Sequence, residues 1–187
     1  MTEHSRTDPL VPTGIVSHLN ALIDPDLPEL RTTLMETLSL CCGSTRWARE
    51  VAHALPLLDD EALFACADRV WERLDEPDVL EAFAHHPQIG ADPEQLRARF
   101  RSTQVWAQGE QAGVREASEE TIQALALGNR EYLERFGYIF IVCATGKSAD
   151  EMLKLLMARV NNSADVELKI AAGEQAKITR IRLEKLR

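Results

Sequence analysis

The chain has 187 residues, a formal charge of −9 and 45% apolar residues. That length buries a core without disulfides or metals, and it suits one domain with a short tail. The acidic balance argues against a nucleic-acid groove or an anionic membrane surface, and no apolar run approaches the roughly 18 residues of a membrane span.

Residues 1–12 are polar and lack a signal-peptide apolar stretch, so they are expected to be a disordered start, with a helical domain over 13–187. Ile15, Leu19 and Leu22 recur at helical spacing until Asp24-Pro25-Asp26 breaks the run. Pro28 opens a second helix marked by Leu30, Leu34 and Leu38, which Gly43 closes. Ser44 caps a third, to Leu55, with Trp47 and Val51 facing inward. Asp59 caps a fourth, to Leu74, on the stripe Leu63, Ala67, Val70, Trp71 and Leu74.

A short helix from Pro77 carries Val79, Leu80 and Phe83 to the pair His85-His86. Asp92-Pro93 starts another with Leu96 and Phe100 on one face. Residues 102–114 stay open, because Gly109 and Gly113 weaken a helix. Ser118 begins a long helix to Phe136, with Leu125, Leu127, Tyr132 and Phe136 as its apolar marks and Gly137 after it. Tyr138–Ala144 is the one strand-like run. Without a second strand to pair with, it is expected as a buried extended crossing, or a partly helical one, whose N–H groups need other partners, a ligand among the possibilities. Ser148 and Glu151 form a capping box before Met152, Leu155, Leu156 and Val160. Ser163 starts the last helix, with Leu168, Ile170, Ala171, Ile178, Ile181 and Leu183 as its apolar face. The expected fold is all-α: one irregular or orthogonal bundle of about eight helices with no sheet.

The four cysteines, Cys41, Cys42, Cys66 and Cys143, form neither a zinc pattern nor a disulfide framework, and they read as buried apolar residues of a cytoplasmic protein. His86 draws attention because Pro87 disfavours helix at the preceding residue, placing the imidazole at a rigid helix exit. Such a ring suits proton transfer near neutral pH, although the local sequence taken alone favours an ordinary surface histidine at a helix C-terminus. His85 and His86 are adjacent and point apart, so they make a poor chelate, and no metal-ligand spacing appears elsewhere. Glu110-Gln111 offers a carboxylate beside an amide. Arg182, between Ile181 and Leu183, either pairs with an acidic neighbour such as Glu184 or offers its fork to a carboxylate or ureido carbonyl, and Arg159 has the same two readings. Asn129 sits mid-helix, where a specific bond is expected.

Taken in order, several of these stretches resemble the 2-oxo-4-hydroxy-4-carboxy-5-ureidoimidazoline (OHCU) decarboxylase family of the uric acid pathway. They are Cys42-Gly43-Ser44 with Arg46-Trp47, Glu81-Ala82-Phe83, His86-Pro87-Gln88-Ile89-Gly90, and Glu110-Gln111-Ala112-Gly113. Asn129 with Tyr132 follows, then Phe136-Gly137-Tyr138-Ile139-Phe140-Ile141, Arg159, and Glu174-Gln175-Ala176-Lys177-Ile178 with Arg180 and Arg182. The similarity runs from about Gly14 to the end.

The resemblance implies a helical homodimer that decarboxylates a small-molecule substrate to (S)-allantoin with no metal or organic cofactor. It implies His86 and Glu110 as the catalytic pair. It implies substrate binding by Pro87, Gln111, the backbone of Ile139, Phe140, Ile141 and Val142 within the 139–144 segment, and Arg182, with Arg159 as the other arginine in that role. The family often has serine where Ala107 stands and arginine where Gln88 stands. The Ala107 departure leaves a competing expectation, a non-catalytic helical module that binds a ligand or partner.

Overall fold

Capping residues set several of the helix boundaries. The structure, a computed structural model, describes residues 14–24, 26–87, 92–98, 100 and 118–186. Residues 1–12, the open stretch at 102–114 and the residues Gln88, Ala107, Glu110 and Gln111 lie outside that set. Among the described residues the regular structure is helical throughout, and no strand occurs. The described chain gathers into two compact units. One takes the residues up to Leu74 together with those from Thr179 onward, and the other spans Asp75–Ile178.

The first unit contains α1 (Ile15–Asn20), α2 (Pro28–Cys42), α3 (Thr45–Ala54) and α4 (Asp60–Trp71). Gly43 leaves α2 at φ 90°, a conformation open to glycine, and Ser44 at once accepts the Trp47 N–H at 3.3 Å to start α3. Asp59 caps α4 in the same way, accepting from Ala62 at 2.8 Å. Leu34, Leu38, Trp47, Val51 and Leu63 are fully buried where α2, α3 and α4 pack. The Trp47 indole N–H donates to the Ala67 carbonyl at 3.0 Å, which satisfies the ring's polar atom inside the core. Cys41, Cys42 and Cys66 are in no disulfide and are buried as expected, whereas Cys143 is only half-buried, and burial pushes the Cys41 and Cys42 thiols up to about 11. Trp71, expected on the buried stripe, is only half-buried.

The second unit contains α5 (Glu76–Ala84), α6 (residues 93–98), α7 (Glu119–Phe136) and α8 (Ala149–Arg159). Ser118 caps α7, Gly137 leaves it at φ 77°, and the Ser148–Glu151 capping box starts α8. Ile122, Leu125, Ala126, Tyr132, Met152, Leu156 and Val160 form the core with Leu96 and Phe100. Gly128 sets how closely α7 meets α8, since a Cβ there would lie 2.8 Å from Leu156 Cδ2. Leu127, expected on the apolar face of α7, is exposed, because the face that packs on α8 is defined by Leu125, Gly128 and Tyr132. Asn129 does bond, but to its own helix: its Nδ2 donates to the Leu125 carbonyl one turn back, at 2.8 Å.

The last helix, α9 (Ala164–Glu184), contributes to both units. Its fully or nearly fully buried positions are Glu167, Ala171, Gln175, Thr179 and Leu183, one every four residues. Three of the five are polar. Ile170, expected on the apolar face, is exposed, because this polar-rich stripe takes the inward position.

Candidate active site

α5 ends where the sequence places a proline. His85 is its C-cap, and the His86 N–H still reaches the Phe83 carbonyl at 3.1 Å before Pro87 carries the chain away. This turn separates the two rings. His85 is exposed, whereas His86 is half-buried, with Nε2 2.5 Å from Oε1 of Gln175. An amide oxygen only accepts, so Nε2 carries the proton of that contact. Gln175 is fully buried, and the bond joins the α5 exit to α9 across 89 residues of sequence. Pro87 is exposed beside His86.

The Tyr138–Ala144 segment lies next to the same turn of α9. It is neither helix nor strand, and charged side chains hold its backbone in place of a ladder. The Cys143 N–H donates to Glu174 Oε2 at 2.7 Å, and the Cys143 carbonyl accepts from Lys147 Nζ at 2.6 Å. Arg159 Nη1 donates to the Ile141 carbonyl at 3.0 Å, and its guanidinium carbon lies 4.6 Å from the Phe140 ring centroid. Of the four backbone positions that the resemblance points to, Ile141 is buried and Ile139, Phe140 and Val142 are half-buried. The N–H that Glu174 engages belongs to Cys143, just beyond those four.

Behind the segment sits a buried polar cluster. Arg159 grips Glu167 through Nε at 2.8 Å and Nη2 at 2.5 Å, and Asn162 Nδ2 donates to the other carboxylate oxygen at 2.8 Å. The Tyr132 hydroxyl also donates to Glu167. Burial and that bond to a carboxylate push the Tyr132 phenol far above its ordinary range. Burial works against ionisation of Glu174, but its bonds from Lys177 and the Cys143 N–H outweigh it and hold the carboxyl below its usual value. The phenols of Tyr132 and Tyr138 share an aromatic cluster with Phe83, Phe136 and Phe140.

The two candidate arginines therefore differ. Arg159 is buried in the cluster just described, with its guanidinium nitrogens on Glu167 and Ile141. Arg182 is half-buried in the first unit. Its Nη1 donates to the Leu40 and Cys41 carbonyls, at 3.3 and 3.2 Å, at the C-terminal end of α2. Glu184 pairs with Arg180 instead, and the Arg180 guanidinium carbon lies 3.5 Å from the Phe64 ring centroid. Thr179 hydrogen-bonds Cys42 in the same unit. Glu167, Glu174 and Gln175 had no site role assigned from the sequence, although Glu174-Gln175 belongs to one of the motifs that carry the resemblance. The available signal was their place on α9: Glu167 and Gln175 lie eight residues apart on a stripe that also carries Ala171 and Leu183.

The family model described as OHCU decarboxylase matches residues 30–184. The chain belongs to that family. It is 40% identical over 148 residues to the uric acid degradation bifunctional protein TTL of Arabidopsis thaliana, a match covering 79% of this chain and 45% of the relative. The chain thus matches less than half the length of that relative. It is 27% identical over 138 residues to a 2-oxo-4-hydroxy-4-carboxy-5-ureidoimidazoline decarboxylase of Haloferax volcanii, covering 73% of this chain and 79% of that one. Among solved structures it is similar to an OHCU decarboxylase crystallised in the presence of (S)-allantoin. There the TM-score is 0.62 at 38% identity, over 79% of this chain and 94% of the other.

Proposed function

We propose that this chain decarboxylates 2-oxo-4-hydroxy-4-carboxy-5-ureidoimidazoline to (S)-allantoin in uric acid degradation. The observation that carries this reading is the family match across 30–184. The placement of His86 at a fixed helix exit agrees with it.

The carbon–carbon bond to the carboxylate breaks, CO2 leaves, and the electron pair remains on the ring carbon. It delocalises into the adjacent carbonyl or imine, so negative charge develops on a heteroatom. Backbone N–H groups of Ile139, Phe140, Ile141 and Val142 stabilise that charge, as preorganised donors do in an oxyanion hole. His86 then delivers a proton to one face of the carbon, which sets the handedness of the product, and regains a proton from solvent. Glu110 orients the ring or takes the proton of the substrate hydroxyl, and Pro87 and Gln111 contact the substrate. Arg182 holds the ureido or carboxylate group through its planar fork. Arg159, three of whose five N–H donors bond Glu167 and the Ile141 carbonyl, fixes the segment that carries the backbone donors. The working form is a cytoplasmic homodimer that needs no metal or organic cofactor and engages neither nucleic acid nor membrane. Among the described residues no helix is long and apolar enough to cross a membrane.

The test generates the substrate in place with urate oxidase and hydroxyisourate hydrolase, adds this protein, and follows substrate absorbance and product circular dichroism. Faster decay with one enantiomer in excess is expected. Unchanged decay and a racemic product would overturn the reading in favour of a non-catalytic binding module.

A further inference from the structure

Gln175 is a neutral polar residue at a fully buried position on a helix whose neighbouring inward positions, Ala171 and Thr179, are small. Burying an amide costs free energy unless its polar atoms are bonded, and leucine or methionine would fill similar volume without that requirement. The amide oxygen faces the His86 ring at 2.5 Å. We infer that Gln175 is a positioning residue for the His86 imidazole. Its oxygen holds a proton on Nε2, so Nδ1 is the nitrogen that takes a proton from solvent, forming the imidazolium, and gives it to the substrate; the same bond fixes the angle at which the ring meets the substrate. This inference rests on the proposed role of His86 as the proton donor.

Two features carry the argument beyond the single bond. The first is register. Glu174, the preceding residue, binds the Cys143 N–H, so one turn of α9 ties down both the proton-donating ring and the segment of backbone donors. A reaction that must stabilise an anion and protonate it from one side needs those two parts held in fixed relation. The second is the choice of amide over carboxylate. A carboxylate at this distance would favour the charged imidazolium and make the ring a weaker acid, whereas an amide oxygen orients it without adding a charge.

The experiment uses the full chain. In Gln175→Leu, turnover is expected to fall about 10–100-fold, the usual scale for losing the partner that orients a functional histidine, while KM changes little and the enantiomeric excess of the product drops. Gln175→Glu keeps an acceptor facing Nε2 and should recover most of the chirality. It also guards against a folding failure of the leucine variant. In the wild type, nitrogen-detected NMR of the imidazole should show the Nε2–H tautomer, and Gln175→Leu should show a mixture of tautomers. Adding Gln175→Leu to His86→Asn should cause no further loss of turnover, because both act through one ring. If Gln175→Leu leaves turnover, chirality and tautomer unchanged while His86→Asn abolishes activity, the positioning role falls and the proposed function stands. If His86→Asn itself keeps full rate and chirality, the role assigned to His86 falls, and the positioning role falls with it.

Discussion

Around α3 the buried side chains include Leu34, Leu38, Trp47, Ala48, Val51 and Leu63, with Ser44, the α3 cap, as a polar exception. Around the Tyr138–Ala144 segment they include Arg159, Glu167, Gln175 and Tyr132. The first set is held by apolar burial, which is non-directional and roughly proportional to area. The second is held by hydrogen bonds and an ion pair, which depend on the position and angle of each atom. The apolar region tolerates small shifts in side-chain placement, while the polar region fixes particular atoms relative to one another. The candidate proton donor and the candidate anion-binding backbone lie in the polar region. A polar interior of this kind costs more to assemble, and it supplies the rigidity that chemistry at one carbon atom needs.

The contrast is open to direct attack, and the largest effect expected is on activity. His86→Asn should lower turnover by about 10²–10⁴, the usual worth of a positioned acid or base, with residual product close to racemic. His85→Ala, at the exposed neighbour, should change turnover little. If the two variants exchange these outcomes, the donor is His85. Next comes stability in the polar region. Arg159→Met leaves the Glu167 carboxylate buried without its guanidinium, and thermal or denaturant unfolding should show a loss of about 3–5 kcal/mol. Turnover should fall as well, because the Ile141 carbonyl loses its tether.

Leu38→Ala probes the apolar region. It should cost about 2–5 kcal/mol of stability, while turnover per folded molecule stays near that of the wild type. An activity loss there as large as that of Arg159→Met would erase the distinction between the regions. Arg182→Lys keeps the charge and loses the fork, so a smaller loss of about 1.5–3 kcal/mol in substrate handling is expected, the scale of a charged hydrogen bond. If Arg159→Lys shows this effect with an intact fold and Arg182→Lys shows none, the substrate arginine is Arg159.

The smallest effect concerns pH. The Cys41 and Cys42 thiols are raised in the folded chain from 9.0 to about 11, chiefly by burial. The unfolded thiols ionise first, so this contribution is fully present below about pH 9 and is lost as pH climbs towards 11. The melting temperature should fall across that window, and it should fall less in Cys42→Ala.

The helix map was largely legible from residue types. Ser44, Asp59, Ser118 and Ser148 start helices where they stand, and Gly43 and Gly137 end them, because a cap is a contact between residues three or four apart. Pro87 marked the exit that displays His86 for the same local reason. Inward faces were less legible. Leu127 and Ile170 have apolar side chains and lie outside, while Glu167 and Gln175 are polar and lie inside. Composition ranks residues by their transfer from water, and a polar group goes inward when a partner waits for it there.

By itself, then, the sequence determined the all-helical class, the caps and the ordered motifs that mark the family. Each of these depends on neighbours along the chain or on the motifs themselves. Only the tertiary structure decided that Arg159 closes on Glu167 and on the Ile141 carbonyl, that Glu174 takes the Cys143 N–H, and that the His86 ring meets Gln175 across 89 residues. The physical reason is directionality over long sequence separation. A hydrogen bond or ion pair exists only where two atoms come within about 3 Å at a favourable angle, and the packing of α8 and α9 against the Tyr138–Ala144 segment sets that distance.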